Sequence, residues 1–504
     1  MEWWRVGWAL AIPWFAGALW VRVLWRDASP PGAWPLALGY GGLLGLLAAT
    51  LLLRVQTALG LPLGWVGPTL VLAVLALAGG RLAWRRTSLD FPILGQRGKA
   101  PPDRSLDSQA QGTAPKTGAK WQQALFVLLL AWLGIRFINL ALEVWWRPLY
   151  PWDAWTTWAV RPRVWSELGQ LLPFVDPQRW LGDATGSVYT IEAWTYPHTV
   201  PLLALWPTLA YGGWNETAAN LPWLGCVLGL GLGFYGQARL WGASALTALV
   251  FTWLLLSLPL LDTHVALAGY ADLWLAAVFG LATIAFFQWA RNGDRRQGLL
   301  AVLLALACPL VKLEGAVWLL LFIPAWLAAR LGGWRLLAVA ITVAALGLGW
   351  WWVGGVAFNP PGLGEWVLRP DLIQVPYLGR FNLGYRGGWD PVVKNFLVLA
   401  NWHLLGYLAL IAAGVAVITV IRDRAERWLR AELTFVVASL AALFVLFFLT
   451  DAQRWAEQYT SINRVALDFV PAFLFWILTV FEQAYRTLEP ARSGEPRDIE
   501  HPSV

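Results

Sequence analysis

Long apolar segments recur along the whole chain and constrain its fold more than any other feature. A helix needs about 20 apolar residues to cross a hydrocarbon core of about 30 Å, because it rises about 1.5 Å per residue. Only 13% of the 504 residues are charged and 58% are hydrophobic, whereas a soluble domain carries roughly 25% charged residues. The sequence therefore predicts an all-α polytopic membrane protein with 13 transmembrane helices. We place these spans near residues 6–25, 33–53, 62–84, 121–142, 221–238, 241–260, 273–289, 298–311, 315–329, 334–353, 401–421, 433–450 and 465–481.

Charge in the short loops predicts which ends of these spans share a side. The loops RNGDRR (291–296), RLGGWR (330–335) and RDRAERWLR (422–430) are rich in arginine, and such loops stay in the cytoplasm. The alternation of spans agrees with this assignment only if the short apolar stretch 200–213 does not cross the membrane. We therefore expect this stretch to form a half-helix or a re-entrant segment.

The same reasoning divides the chain into four parts. Residues 1–84 are predicted to be an N-terminal three-helix membrane module, and no small-x-small cleavage site follows their first apolar run. Residues 85–120 are rich in Pro, Gly, Ser and basic side chains, which predicts a disordered cytoplasmic linker. Residues 121–485 are the expected catalytic core, with a long first extracytoplasmic loop at 144–198. Residues 486–504 are a cytoplasmic tail.

Composition also excludes several classes of function. The net charge of +7 comes largely from arginines in short loops, so it indicates topology and headgroup contact rather than nucleic-acid binding. Two cysteines in apolar runs cannot build a disulfide framework or a zinc site. The four histidines lack metal-ligand spacing, so we expect no site that is built for a metal.

The stretch 150–169, YPWDAWTTWAVRPRVWSELG, follows the first span of the core. It places Asp153 between Trp152 and Trp155, with Arg161 and Arg163 a few residues later. An acid, stacking rings and paired cations at a membrane surface suit a substrate that is part sugar, part phosphate and part lipid. The structural alternative is an interfacial aromatic belt with a surface Asp–Arg pair, since Trp and Tyr collect at headgroup depth.

More charged groups stand next to apolar spans on the same predicted side. Charges at membrane depth cost about 2.5–3.5 kcal/mol each on insertion scales, so they persist with a partner or a function. Each could instead snorkel from a helix end. Carboxylates and cations from separate helices on one face are more typical of a site. The residues are Tyr270 and Asp272 in AGYADLW, Lys312 and Glu314 in CPLVKLEGAVW, and Arg464 in TSINRVALDF.

From about Trp121 onward the chain resembles the GT-C superfamily of polyprenyl-phosphate-sugar glycosyltransferases, near protein O-mannosyltransferases and lipid A aminoarabinose transferases. Four motifs in the order of the family carry the resemblance: WDAW, YPHTVPLLALWPTLAYGGWNETAANLP, GYADLW and VKLEG. Two positions depart from the family. His198 stands where relatives carry lysine, which makes its contact with a lipid phosphate a weaker expectation, and Ala219 replaces an arginine.

The resemblance implies an activity, partners and a location. The donor would be a polyprenyl-phosphate-linked sugar, and the acceptor a glycan, a lipid or a protein. The enzyme would lie among the lipids of a bacterial inner membrane with its active site on the extracytoplasmic face. No cofactor is required, although some relatives use a divalent cation and Asp153 with Asp272 could bind one.

The chemistry assigns a role to each candidate residue. The leaving phosphate needs cations, and Arg161, Arg163, Lys312 and Arg464 are the candidates. The attacking hydroxyl needs a carboxylate base, for which we choose Asp153. Asp272 would orient the acceptor or the base. Direct displacement by one base implies inversion at the anomeric carbon. The expected substrate-binding residues are Trp152, Trp155, Arg161, Arg163, His198, Tyr270, Lys312, Glu314 and Arg464.

Two other classes of function share these features. A transporter or flippase for lipid-linked saccharides would have the same membrane mass and cationic site, but it needs matched internal repeats with broken helices. A non-catalytic subunit would have a degenerate site. Convergence of Asp153 and Asp272 in space discriminates against the latter.

Overall fold

The computed structural model of the protein describes residues 2–27, 29–84, 120–147, 149–361, 364–376, 379–422, 427–459 and 461–493. Its first ten helices are α1 Trp3–Leu24, α2 Ala33–Ala58, α3 Val66–Trp84, α4 Lys120–Trp146, α5 Val160–Leu168, α6 Pro177–Leu181, α7 Thr199–Tyr211, α8 Glu216–Trp241, α9 Ala245–Leu256 and α10 Pro259–Ala266. The others are α11 Asp272–Asn292, α12 Arg295–Val311, α13 Glu314–Leu319, α14 Phe322–Arg330, α15 Gly333–Val353, α16 Trp389–Val393, α17 Leu405–Arg422, α18 Arg427–Phe444, α19 Gln453–Glu457, α20 Ser461–Leu467 and α21 Val470–Ser493. The prediction of an all-α polytopic protein is confirmed. Of the predicted linker, residues 85–119 lie outside the described residues, as do the last residues of the predicted tail, and Lys120 begins α4.

Fewer helices of the described residues have the length and apolar composition of a membrane span than the thirteen predicted. In the described residues eight helices are long and apolar enough to cross a membrane, or up to ten if each bent pair is one span. Each of the thirteen predicted segments is a helix or a helix pair. Three of them are too short to be counted as membrane-spanning helices, namely α12, the pair α13 and α14, and α17. The expected count of thirteen is therefore not reproduced by length and composition.

Two predicted spans are bent rather than straight. The pair α9 and α10 is bent by 62° and the pair α20 and α21 by 51°. Pro259 occupies the first turn of α10, and Pro471 lies in the first turn of α21. Proline has no N–H to continue a preceding helix, so it starts a new helix after a break.

A small antiparallel sheet interrupts the helices in the loop after α15. Its strands are β1 Val356–Phe358, β2 Trp366–Leu368, β3 Leu372–Val375 and β4 Gly379–Asn382, paired in the order of the chain. Ala357 pairs with Val367, and Ile373 pairs with Phe381. Three π-helical turns also occur, at Ala154–Trp158, Lys394–Val398 and Val445–Leu449.

The N-terminal helices share a core with the rest of the protein. Helices α1 and α2 form an antiparallel hairpin in which Gly17 lies directly against Gly41. Helix α2 also packs on α8, and the hydroxyl of Tyr40 donates to the carbonyl of Leu281 at 2.7 Å. One continuous apolar cluster includes residues of α2, α8 and α11. The predicted domain boundaries stay a prediction, but the first module is not packed apart from the core.

Helix packing gives the bundle two chemically different ends. Two contacts show that helices α8 and α11 run in parallel. The side chain of Gln288 donates to the carbonyl of Gln237 at 2.9 Å, and the side chain of Trp223 donates to the carbonyl of Tyr270 at 2.7 Å. The arginine-rich loop 291–296 lies at the Gln288 end. There the guanidinium of Arg330 also lies 4.9 Å from the Trp289 ring. Asp272 lies at the other end.

Helix α7 crosses one end of the α1–α2 hairpin. At its start, the hydroxyl of Thr199 accepts from Arg54, near the end of α2, at 3.3 Å. At its finish, the ring of Tyr211 lies 5.1 Å from Trp3, at the start of α1. Both contacts lie at the same end of the hairpin, so α7 runs across this end and does not follow the length of the bundle. This geometry agrees with the expectation that 200–213 is not a full span.

The close approach of α1 and α2 leads to a stability prediction. A Cβ atom at Gly17 would overlap the Gly41 carbonyl, whereas nothing lies within 4 Å of one at Gly7 on the same helix. Overpacking of this kind costs about 1–3 kcal/mol. Gly17→Ala should therefore lower the thermal unfolding temperature of the purified protein by several degrees. Gly7→Ala should leave it unchanged or slightly raised, because alanine favours helix. Equal shifts in both variants would contradict the packing of α1 on α2.

Candidate functional site

Asp153 stands immediately before an irregular turn of helix. The chain leaves α4 at Trp146 and enters the π-helical turn Ala154–Trp158 directly after Asp153. Such turns occur frequently at functional sites. Ala154 packs against Gly269, whose φ of 115° requires glycine and where a Cβ would overlap the Ala154 side chain. This contact brings the Asp153 turn against the loop that precedes Asp272.

Arg464 bridges the two predicted carboxylates. Its Nη1 donates to Oδ2 of Asp153 at 2.6 Å, and its Nη2 and Nε donate to Oδ2 of Asp272 at 2.9 and 3.1 Å. Planar guanidinium groups bind carboxylates with several hydrogen bonds at once, which fixes both partners. The side chain of Asp272 is 1% exposed and that of Asp153 is 38% exposed. Asp153 is thus the carboxylate that a substrate can reach.

Lys312 extends the cluster from the other side of Asp272. Its ammonium donates to Oδ1 of Asp272 at 3.0 Å and lies 3.2 Å from a carboxylate oxygen of Glu314. Glu314 in turn accepts a hydrogen bond from the hydroxyl of Tyr196 at 3.2 Å. Lys312 ends α12 and Glu314 begins α13, so the break between these helices delivers both charges to one place. We use the name acid–base cluster for the continuous group formed by Asp153, Asp272, Lys312, Glu314 and Arg464.

Aromatic and histidine rings lie beside the cluster. The guanidinium of Arg464 stacks over the Tyr270 ring at 4.3 Å, a distance at which the ring face attracts a cation. The His264 ring lies 5.5 Å from that of Tyr270, and its Nδ1 is 2.8 Å from the carbonyl of Leu260. Tyr270 was predicted as a site residue, and the structure brings it against Arg464.

The charges of the cluster do not sum to a positive pocket. The carboxylates of Asp153, Asp272 and Glu314 face the two cations Lys312 and Arg464, so these five paired side chains carry a formal charge of −1. Both cations are therefore neutralised before any substrate binds. The prediction that Lys312 and Arg464 bind a lipid phosphate stays a prediction. An anion that binds here meets cations that already have carboxylate partners.

The two arginines of the first loop lie outside this cluster. The guanidinium of Arg161 is buried and donates to carbonyls of the 193–197 segment at 2.7–3.4 Å. Arg163 lies on the exposed side of α5 and pairs with Glu167 at 3.0 Å. Arg161 thus fixes the loop that carries Tyr196. The guanidinium of Arg161 donates to backbone carbonyls, and these donors do not serve a phosphate.

His198 and the predicted tryptophans have different surroundings. The His198 ring packs on Trp165 with centroids 5.4 Å apart. Burial, with the nearby charges of Arg161 and Arg54, lowers the pKa of His198 to about 4, so this ring is neutral near pH 7 and adds no cation. Trp152 and Trp155 are exposed and meet edge to face at 4.7 Å. They form an aromatic surface next to Asp153.

Sequence reasoning missed three residues at the cluster. Tyr196 donates to Glu314 and packs against the buried ring of Trp158 at 5.1 Å. Asp468 is buried behind Lys312 and accepts a hydrogen bond from Trp318 at 3.0 Å. His264 is the third. The signals available were the YPHT motif for Tyr196 and a lone carboxylate in an apolar run for Asp468, four residues after Arg464.

Asp153 and Asp272 were also considered as a metal-binding pair. In the part of the chain that the structure describes, no group of three or more His, Cys, Asp or Glu side chains could hold a metal ion. The two carboxylates instead share the guanidinium of Arg464. A divalent cation would have to replace that guanidinium. Independence of a metal stays a prediction.

The burial of Arg161 predicts a structural role that can be separated from catalysis. Arg161→Lys cannot reproduce the planar set of hydrogen bonds to four carbonyls, and a lost charged hydrogen bond costs about 1.5–3 kcal/mol. The variant should unfold at a clearly lower temperature. Arg163→Lys, on the same helix but exposed, is the matched control and should change little, because exposed pairs contribute little. A stable Arg161→Lys protein would return Arg161 to the candidates for phosphate binding.

No family model, no curated protein and no solved structure matches this chain. The resemblance to the GT-C superfamily therefore rests on the four motifs and stays an expectation.

Proposed function

We propose that the protein is an integral-membrane glycosyltransferase that moves a sugar from a polyprenyl-phosphate donor to an acceptor with inversion. One observation carries the proposal. The carboxylates of Asp153 and Asp272 converge on the guanidinium of Arg464, with Lys312 on the second oxygen of Asp272. Displacement of a lipid phosphate requires a base that a substrate can reach and nearby cations. Here the base is partly exposed, Lys312 is buried and Arg464 is half-buried.

The reaction can be written on these residues. The acceptor hydroxyl gives its proton to the carboxylate of Asp153 as its oxygen attacks the anomeric carbon. The bond from that carbon to the phosphate oxygen breaks, and its electron pair stays on the phosphate. Lys312 and Arg464 stabilise the charge of the departing lipid phosphate. Asp272 keeps both cations in place, since it binds each of them.

The charge balance adds a step before the reaction. In this proposal the donor phosphate takes Arg464 from Asp153, because Asp153 is the partner that is 38% exposed, against 1% for Asp272. Donor binding would thus release Asp153 while Asp272 keeps its bonds. The released carboxylate becomes the free base that the acceptor needs. The order of events is donor first and acceptor second.

The finer topology belongs to the same proposal. Helix α12 leads from Arg295, in an arginine-rich loop, to Lys312 in the cluster, and α13 with α14 leads back to Arg330. These short helices therefore join the two ends of the bundle, which supports a total of thirteen crossings. The core would be GT-C-like, with 144–198 as its extracytoplasmic loop. The basic loops would face the cytoplasm of a bacterial cell and the acid–base cluster the opposite side.

A change at Asp153 tests the proposed chemistry. Asp153→Asn keeps the shape of the side chain and removes its basicity, so transfer should fall by more than about 10²-fold, the lower end for a positioned base. The measurement is mass spectrometry of cell-envelope glycans in cells that carry the wild-type gene, no gene, or the variant. Glu192→Gln makes the same carboxylate-to-amide change at an exposed position of the same loop and should retain the product. Full product from Asp153→Asn would refute the base assignment.

Thiol labelling tests which side the cluster faces. The buried Cys226 and Cys308 are replaced by alanine, and single cysteines are placed at the exposed positions Ala184 and Asn292. An impermeant reagent added to intact cells should label Ala184→Cys and leave Asn292→Cys unlabelled until the cells are opened. Labelling of both positions from outside would overturn the proposed orientation.

A flippase for lipid-linked saccharides is the second candidate. The bent pairs α9–α10 and α20–α21 favour it, because broken helices beside buried charges are typical of transporters. Protein reconstituted in vesicles with a fluorescent polyprenyl-phosphate sugar separates the two functions. A flippase would move this lipid between leaflets without acceptor, whereas a transferase would not.

A further inference from the structure

Arg464 lies on a helix that cannot fix its own orientation. Helix α20 has seven residues and is bent by 51° from α21. So short a helix has no independent stability, and its direction is set by tertiary contacts. The residue before Arg464, Asn463, is buried and makes several of these contacts. The proposed reaction gives Asn463 no role.

Both the nitrogen and the oxygen of the Asn463 side-chain amide make hydrogen bonds. Its Nδ2 donates to Oδ1 of Asn395 at 2.8 Å and to the carbonyl of Tyr459 at 3.4 Å, and its Oδ1 accepts from Nε1 of Trp402 at 3.2 Å. Asn395 is in turn anchored to the carbonyl of Pro391 at 2.8 Å. Asn395, Trp402 and Asn463 are 0%, 1% and 3% exposed. A buried network in which each amide has partners gives its members one geometry.

The backbone beside this network is held in an uncommon conformation. In the described ranges, the non-glycine residues with positive φ are His403, at 47°, and Tyr459, at 57°. His403 follows Trp402, and Tyr459 supplies a carbonyl to Asn463. Such conformations persist where surrounding contacts determine them, and they concentrate at functional sites. The network therefore holds two separate segments against α20.

We propose that Asn463, together with Asn395 and Trp402, is a positioning residue that fixes the rotation of α20 so that Arg464 reaches both Asp153 and Asp272. Residues 463 and 464 are about 100° apart around the helix, as follows from 3.6 residues per turn. One side of α20 is thus fixed by the amide network while the adjacent side presents the guanidinium. A group displaced by about 1 Å can lose about 10²-fold in rate. The catalytic part of this inference rests on the proposed function.

A double-mutant cycle tests whether Asn463 acts through Arg464. The four proteins are the wild type, Asn463→Ala, Arg464→Lys and the double variant. Two quantities are measured for each: the amount of glycan product in cells, by mass spectrometry, and the thermal unfolding temperature of the purified full-length protein. Residues that act together give effects that do not add, whereas independent residues give effects that do.

The expected result is strong coupling. Asn463→Ala should lower product about 10- to 100-fold when Arg464 is present, and less than about 3-fold when position 464 is lysine. The fall in unfolding temperature should likewise be smaller in the Arg464→Lys background. Trp402→Phe removes one N–H donor and keeps most of the ring, so it should give a smaller loss in the same direction without preventing folding. Ser439→Ala, buried but bonded within its own helix, should leave the product unchanged.

Additive effects in both measurements would overturn the inference and leave Asn463 as a packing residue. The cycle also separates the two proposals. If Asp153→Asn abolishes the product while Asn463 and Arg464 add independently, the proposed function stands and the positioning inference fails. If deletion of the gene changes no glycan, the proposed function fails, and the unfolding temperatures still decide whether Asn463 acts through Arg464.

Discussion

The guanidinium of Arg464 is the group on which the acid–base cluster depends. It joins Asp153, at the start of a π-helical turn, to Asp272, at the start of α11, over separations of 311 and 192 residues along the chain. Removing it would leave Asp272, which is 1% exposed, with Lys312 as its remaining cation. Breaking a buried ion pair costs far more than an exposed ion pair contributes. The contact of Arg464 with Asp272 therefore stabilises the fold.

The cluster also explains why several helices end where they do. The break after α12 presents Lys312 and Glu314 together, and the bend between α20 and α21 leaves Arg464 on a short helix that can face the cluster. Continuous helices would bury these charges along apolar faces, where each is costly. The helices are thus interrupted at the places where the charged residues occur. The break at Lys312 also separates α12 from the pair α13 and α14, and neither is among the eight long apolar helices of the described residues.

Local sequence indicated which polar residues lie together for some positions and not for others. Asp153, Asp272, Lys312, Glu314, Tyr270 and Arg464 were predicted because charge or polarity next to an apolar span is conspicuous, and the structure brings all six together. Arg161 looked equivalent to Arg464 on the same grounds. Its guanidinium instead donates to carbonyls of the segment 193–197. Residue type alone does not show that a loop folds back over a buried arginine.

The sequence by itself determined the class of fold, the position of nearly every helix and the separation of basic loops from the polar motifs, since apolar length and charge are local properties. Tertiary structure alone decided which charges cancel. The pairing of Arg464 with Asp153, of Tyr196 with Glu314 and of Asn463 with Asn395 depends on contacts between distant segments. Hydrogen bonds act over about 3 Å, and no pattern of residue types specifies which groups come that close.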